Sequence, residues 1–213
     1  MNQRFESHLI WGSHSPLSTL SGAGLVIMAS TRFSYALICA GALVWVYGLA
    51  ALIFSTGRKI MPKQGQMVIL LFLSAFLCGF FMLFAGILNP LLILGTGFFL
   101  VLIPPCFLGS GFFEASEAEY PIDVLSRAVL EAVVMAGFIL GLALVREPLG
   151  MGTLSLPGGA EGIIELFEAG DADAFVPARL LSACAGGLLL LGYVTALFRY
   201  FRERYGSVPG EGL

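Results

Sequence analysis

Charge is what this sequence has least of. Lys, Arg, Asp and Glu together make 12% of its 213 residues, against about 25% in an average soluble domain. With 58% of residues hydrophobic, a soluble globular fold is excluded, because too little polar surface exists to cover an apolar interior of that size. No run of like charge occurs and the formal net charge is only −3, which removes the electrostatic footprint of a nucleic-acid-binding protein. Histidine occurs twice, and none of the four cysteines forms a CxxC pair or another zinc spacing. No nucleophile–base pair and no phosphate-cradling glycine loop is present, so catalysis of the soluble kind has no residues to run on.

What is present is a series of long uncharged apolar runs. A bilayer crossing takes about 20 such residues, so five or six crossings use nearly the whole chain and leave no separate soluble domain. The sequence predicts an all-α integral membrane protein, embedded in the lipid bilayer, with clear spans from Phe33 to Phe54, Met67 to Leu88, Val124 to Val145 and Ala178 to Phe198. Two further runs differ. Leu17 to Ser30 is short and rich in Ser and Gly, and Leu91 to Leu108 contains Pro104-Pro105, which removes two backbone donors and is expected to kink or end a helix.

The order short, long, long thus occurs twice, opened by Ser15-Pro16-Leu17 in one half and Asn89-Pro90-Leu91 in the other. That pattern predicts a six-helix bundle of two inverted three-helix repeats with short or broken first and fourth spans meeting near the midplane. Its expected divisions are a polar N-terminal segment 1–16, a first repeat 17–88, a second repeat 89–200 and a tail 201–213. With the N-terminus inside, eight basic residues fall on the cytoplasmic side and three (Arg32, Arg146, Arg179) outside. The positive-inside rule therefore places both termini in the cytoplasm. Residues 1–16 lack the basic and apolar regions of a cleaved signal, so the first helix is expected to be its own insertion signal.

Cys39, Cys78 and Cys184 read as helix packing, since cysteine is a small, frequently buried residue. Cys106 stands apart because it follows Pro104-Pro105, where a span is expected to stop at membrane depth; metal binding and packing are both open for it. His8 and His14 share no helix face and read as interfacial beside Trp11. Arg127 and Glu131, four apart, share a face and either line a polar path or sit near the interface. Glu114, Glu117, Glu119 and Asp123 either gather cations before a pathway or form a solvated loop.

Arg146-Glu147-Pro148-Leu149-Gly150-Met151-Gly152-Thr153-Leu154 is the most distinctive string in the chain. An ion-pair-capable dipeptide, a proline and two turn-permitting glycines read as a structured loop folded back on the bundle. At Arg146, Glu147, Leu149, Gly150, Gly152, Thr153 and Leu154 the chain resembles the membrane subunits of the Rnf and Nqr electron-transport complexes, in the RnfE (RsxE) and NqrD branch. The likeness covers residues 89 to 200 most fully and extends to Pro177 before the last span.

The resemblance implies a bacterial inner-membrane subunit of an oxidoreductase that moves Na⁺ or H⁺, paired with an oppositely oriented A-type paralogue and other subunits of the complex. It also implies a 2Fe–2S cluster shared between the two, which takes four Cys, two from each partner. The family's first ligand precedes a proline in the first span, where this chain has Ser15 before Pro16. Its second follows the kink of the fourth span, where Cys106, or Ser110 with the gap placed differently, is the match. Two other functions stay open from the residues alone: a stand-alone small-solute transporter on the same repeat, and a structural or assembly subunit without its redox cofactor.

Overall fold

The computed structural model describes residues 20–57, 65–109, 121–158, 162–168 and 179–205. Seven helices are present among them: α1 (Leu20–Ala29), α2 (Phe33–Gly57), α3 (Gln66–Leu88), α4 (Pro90–Leu100), α5 (Ile103–Gly109), α6 (Pro121–Met151) and α7 (Cys184–Tyr205). Strands β1 (Thr153–Pro157) and β2 (Ile163–Glu168) form an antiparallel pair, and a 3₁₀ turn (Arg179–Ser182) leads into α7. The segments Phe33–Gly57, Gln66–Leu88, Pro90–Gly109 and Ile122–Met151 are each long and apolar enough to cross a membrane.

Helix α2 is the centre of the molecule and lies chiefly along α6. Many side chains buried on these two helices are small: Ala36, Ala42, Ala50 and Ala51 on α2 and Ala128, Ala132 and Ala143 on α6. In hydrocarbon, where apolar surface gains nothing by hiding, such small residues let helices approach near enough for dispersion to hold them. Helix α3 shows the opposite face. Phe72, Phe76, Phe80 and Phe84, spaced four apart, are 52–70% exposed, a continuous apolar stripe that water would not tolerate on a monomer but lipid does.

The structure shows the break expected at the proline pair and gives its sense. Helix α4 ends at Leu100, Val101–Leu102 form a turn, and α5 starts at Ile103, so Pro104 and Pro105 open the second helix and do not close the first. Proline is tolerated in a first turn because those N–H groups lack helical partners anyway. The expected fourth span is therefore two helices in series. The Leu100 carbonyl, which Pro104 has no N–H to satisfy, accepts a hydrogen bond from the Cys78 thiol on α3 at 3.2 Å.

A correction concerns the Arg146–Leu154 string. Residues up to Met151 continue α6 as helix, with Pro148 inside it, and Thr153 and Leu154 begin β1. The hinge is Gly152, whose φ of 71° lies in the left-handed region open to glycine. The hairpin that follows is a β element in a chain expected to be wholly helical.

Candidate functional site

Six buried polar residues, Ser30, Ser34, Asn89, Arg146, Glu147 and Ser155, gather at one end of the bundle, around the turn between α1 and α2. Arg146 lies in the last turns of α6 and is 1% exposed. All five of its N–H donors are used. Nε donates to the Leu181 carbonyl at 2.6 Å, and Nη1 to the Ile27 carbonyl at 2.5 Å and to Ser30 Oγ at 3.1 Å. Nη2 donates to the carbonyls of Ser182 at 3.2 Å and Ala183 at 2.9 Å. These acceptors are the last carbonyls of α1 and those of the 3₁₀ turn before α7. Helix C-terminal ends carry partial negative charge, so a guanidinium is a fitting cap for both.

Glu147 does the converse. Its Oε2 accepts from the backbone N–H of Phe33, the first residue of α2, at 2.5 Å. A carboxylate at a helix N-terminus meets both an orphan donor and the positive end of the dipole. Beside it, Ser155 of β1 caps the next amide: Ser34 N–H donates to Ser155 Oγ at 3.3 Å, and the two hydroxyls lie 3.1 Å apart. Adjacent residues of opposite charge thus clip the two sides of one turn, Arg146 holding the end of α1 and Glu147 the start of α2. Glu147 Oε1 is buried and has no hydrogen-bond partner among the described residues.

Two glycines make room for this clasp. A Cβ on Gly150 would stand 2.8 Å from the Ser182 backbone nitrogen, and one on Gly187 would stand 2.9 Å from Arg146 Nη1. Leu149 is exposed and faces a groove between α6 and α7. The hairpin completes the arrangement. Asn89, between α3 and α4, accepts from Leu92 N–H at 3.0 Å through Oδ1 and donates through Nδ2 to the Gly162 carbonyl at 2.8 Å. Arg32 and Glu165 face each other at 3.9 Å, both about one-third exposed, so their attraction is weak.

Cys106 lies elsewhere. It is fully buried on α5, its Sγ accepting from Tyr47 Oη at 3.5 Å, with the Phe107 ring edge-on to Tyr47 at 4.8 Å. Glu131 on α6, 4% exposed, is near enough to act on this thiol electrostatically and bonds Arg127 Nε at 3.4 Å. The structure thus joins Arg127 to Glu131, as their spacing predicts, with the carboxylate enclosed. Cys39 is core on α2, whereas Cys78 does more than fill space at the helix break, and Cys184 is exposed where packing was expected. No group of three His, Cys, Asp or Glu side chains able to hold a metal ion occurs among the described residues. Ser15, Ser110, His8, His14, Trp11, Pro177, Glu114, Glu117 and Glu119 lie outside the described residues.

Sequence reasoning missed the roles of Asn89 and Ser155. The Asn-Pro step at 89–90, an N-cap before a proline at the first helical position, is a signal that would have found the first. No protein-family model matches this sequence, and no curated protein matches it either.

Proposed function

We propose that this chain is a membrane subunit of an ion-translocating electron-transport complex of the Rnf/Nqr type, built as six spans in two inverted triplets and seated in a bacterial inner membrane with both termini cytoplasmic. The observation that carries the proposal is the packing of α1 against α5. It joins the short helix that follows Ser15-Pro16 in sequence to the helix bearing Cys106, the two segments from which the family resemblance draws its ligands. Arg146, the first residue of the string, holds the end of α1 in that place.

The donor set does not fit an evenly shared 2Fe–2S cluster. An even share takes two thiolates from this chain, and serine at position 15 is a poor ligand for iron. No electron-transfer step is therefore routed through a cluster here. The chain acts in the complex by holding the bundle and its A-type partner, with Cys106 enclosed against Tyr47.

Co-expression with an A-type paralogue and purification through a tag on this chain tests the proposal. The expected result is a stable heterodimer with iron well below two per complex. Failure of any Rnf- or Nqr-type subunit to co-purify would reject the assignment, and two irons with two acid-labile sulfides would reject the incomplete donor set. One observation favours a second function, a stand-alone transporter: Glu131 is a carboxylate enclosed within a span, the usual mark of an ion or substrate path. Transport of a small solute by the chain reconstituted alone would select it.

A further inference from the structure

The first two amides of α2 are met by different side chains, and the hydrogen count around them does not close. Glu147 Oε2 takes the N–H of Phe33, and Ser155 Oγ takes that of Ser34. Glu147 is 1% exposed, so a buried carboxylate is aimed at this helix N-terminus. Its other oxygen, Oε1, has no hydrogen-bond partner among the described residues. A carboxylate oxygen only accepts, and burial without a donor is costly.

The serines beside it have the opposite surplus. Ser34 and Ser155 are fully buried and bring two hydroxyl hydrogens. Their oxygens lie 3.1 Å apart, so one hydrogen sits between them whichever serine donates. The other hydrogen meets no acceptor among the described residues. An oxygen short of a donor and a hydroxyl short of an acceptor therefore stand at neighbouring amides of one helix.

The count selects what joins them. A proton on Glu147 adds a further donor and leaves the serine hydrogen unanswered. A metal cation answers the carboxylate alone, and it would stand at the positive end of the α2 dipole with Arg146 next in the chain. Water accepts from the hydroxyl and donates to the carboxylate, and buried waters characteristically join such groups.

We propose that a water molecule is resident at the N-terminus of α2, accepting from the Ser34–Ser155 hydroxyl pair and donating to Glu147 Oε1. It links β1, α2 and α6 on the clasp side of Gly152, and the site is independent of membership in a redox complex. Water-edited solid-state NMR of the full chain in liposomes, with isotope-labelled glutamate, tests it. The Glu147 carboxyl signal is identified by its loss in Glu147→Gln. The expected result is transfer of water magnetisation to that enclosed carbon, lost in the double variant Ser34→Ala/Ser155→Ala. Thr31→Ala, which removes a hydroxyl bonded to the Met28 carbonyl in the same turn, should leave the transfer intact. Circular dichroism checks folding, and the wild-type transfer decides by itself where the double variant does not fold. Absence of transfer in the wild type, or transfer undiminished in the folded double variant, overturns the proposal. So does a lower unfolding temperature when choline replaces sodium and potassium, which would put a cation at the site. Contact of the carboxyl carbon with a side-chain nitrogen would overturn it too, because the donor would then belong to the protein.

Discussion

At the scale of single residues, Arg146 and Glu147 are unequal halves of one device. The guanidinium spends five donors on four carbonyls and a hydroxyl drawn from α1 and from the approach to α7. Lysine, with three donors on a single nitrogen, cannot span that arc, and carbonyls left unpaired in a dry site each cost free energy. Arg146→Lys is therefore expected to destabilise the protein by about 3 kcal/mol. Glu147→Gln keeps an oxygen for Phe33 N–H and loses only the charge at the α2 terminus, an expected cost of about 1 kcal/mol. Thermal unfolding in detergent micelles ranks the two, and equal losses would contradict the division of labour. Gly187→Ala pushes a methyl group against Arg146 and the Ile27 side chain, so it should destabilise the wild type clearly and the Arg146→Lys variant less, because the two share one contact.

Asn89 links two elements, and its chemistry separates them. Asn89→Asp retains an oxygen to cap α4 but has no donor for the Gly162 carbonyl, whereas Asn89→Ala loses both bonds. Hydrogen exchange should show Asn89→Asp loosening the hairpin at 153–168 with α4 protected, and Asn89→Ala loosening both, the cap alone accounting for about 1 kcal/mol. At the helix break, Cys78→Ser keeps a donor for the Leu100 carbonyl and should be tolerated. Cys78→Ala strands that carbonyl within the membrane, where no water replaces the thiol, and should lower the unfolding temperature.

These elements also mark what the sequence discloses. The long spans are legible because apolar length alone defines a crossing, and α2 and α3 begin within a residue of where hydropathy puts them. The break near Pro104 is legible as a discontinuity but not in its sense, because the same residue type ends one helix and opens another. The hairpin is hidden: β1 and β2 are short, and an acidic, glycine-rich stretch between spans reads as a loop. Most telling is the Arg146-Glu147 dipeptide, whose residue types suggest a mutual ion pair. Each instead serves a helix end that no local pattern reveals, since Ile27 and Phe33 lie more than a hundred residues away.

On the scale of the whole molecule, the clasp fixes which helix ends share a side. Its bonds bring together the end of α1, the start of α2, the joint of α3 and α4, the end of α6 and the approach to α7. The basic residues then give that side its address. Of the three assigned outside, Arg146 is enclosed by carbonyls and Arg32 faces Glu165, so little uncompensated positive charge remains at the clasp. The other eight, among them Arg58, Lys59 and Lys63 between α2 and α3 in sequence, are the ones the positive-inside rule assigns to the cytoplasm. For the proposed orientation both facts predict an outward clasp, because basic residues near span ends resist translocation while acidic ones barely count. Ile164 on β2 is 47% exposed at this end. In a chain whose native cysteines are replaced by serine, except Cys78, Ile164→Cys should react with a membrane-impermeant maleimide added to intact spheroplasts. A cysteine placed at Gly206 should react only after the membrane is opened. Labelling of both from one side would mean an odd number of crossings and would remove the inverted pairing of the two triplets, whereas exchange of the two accessibilities would keep the pairing and reverse the orientation.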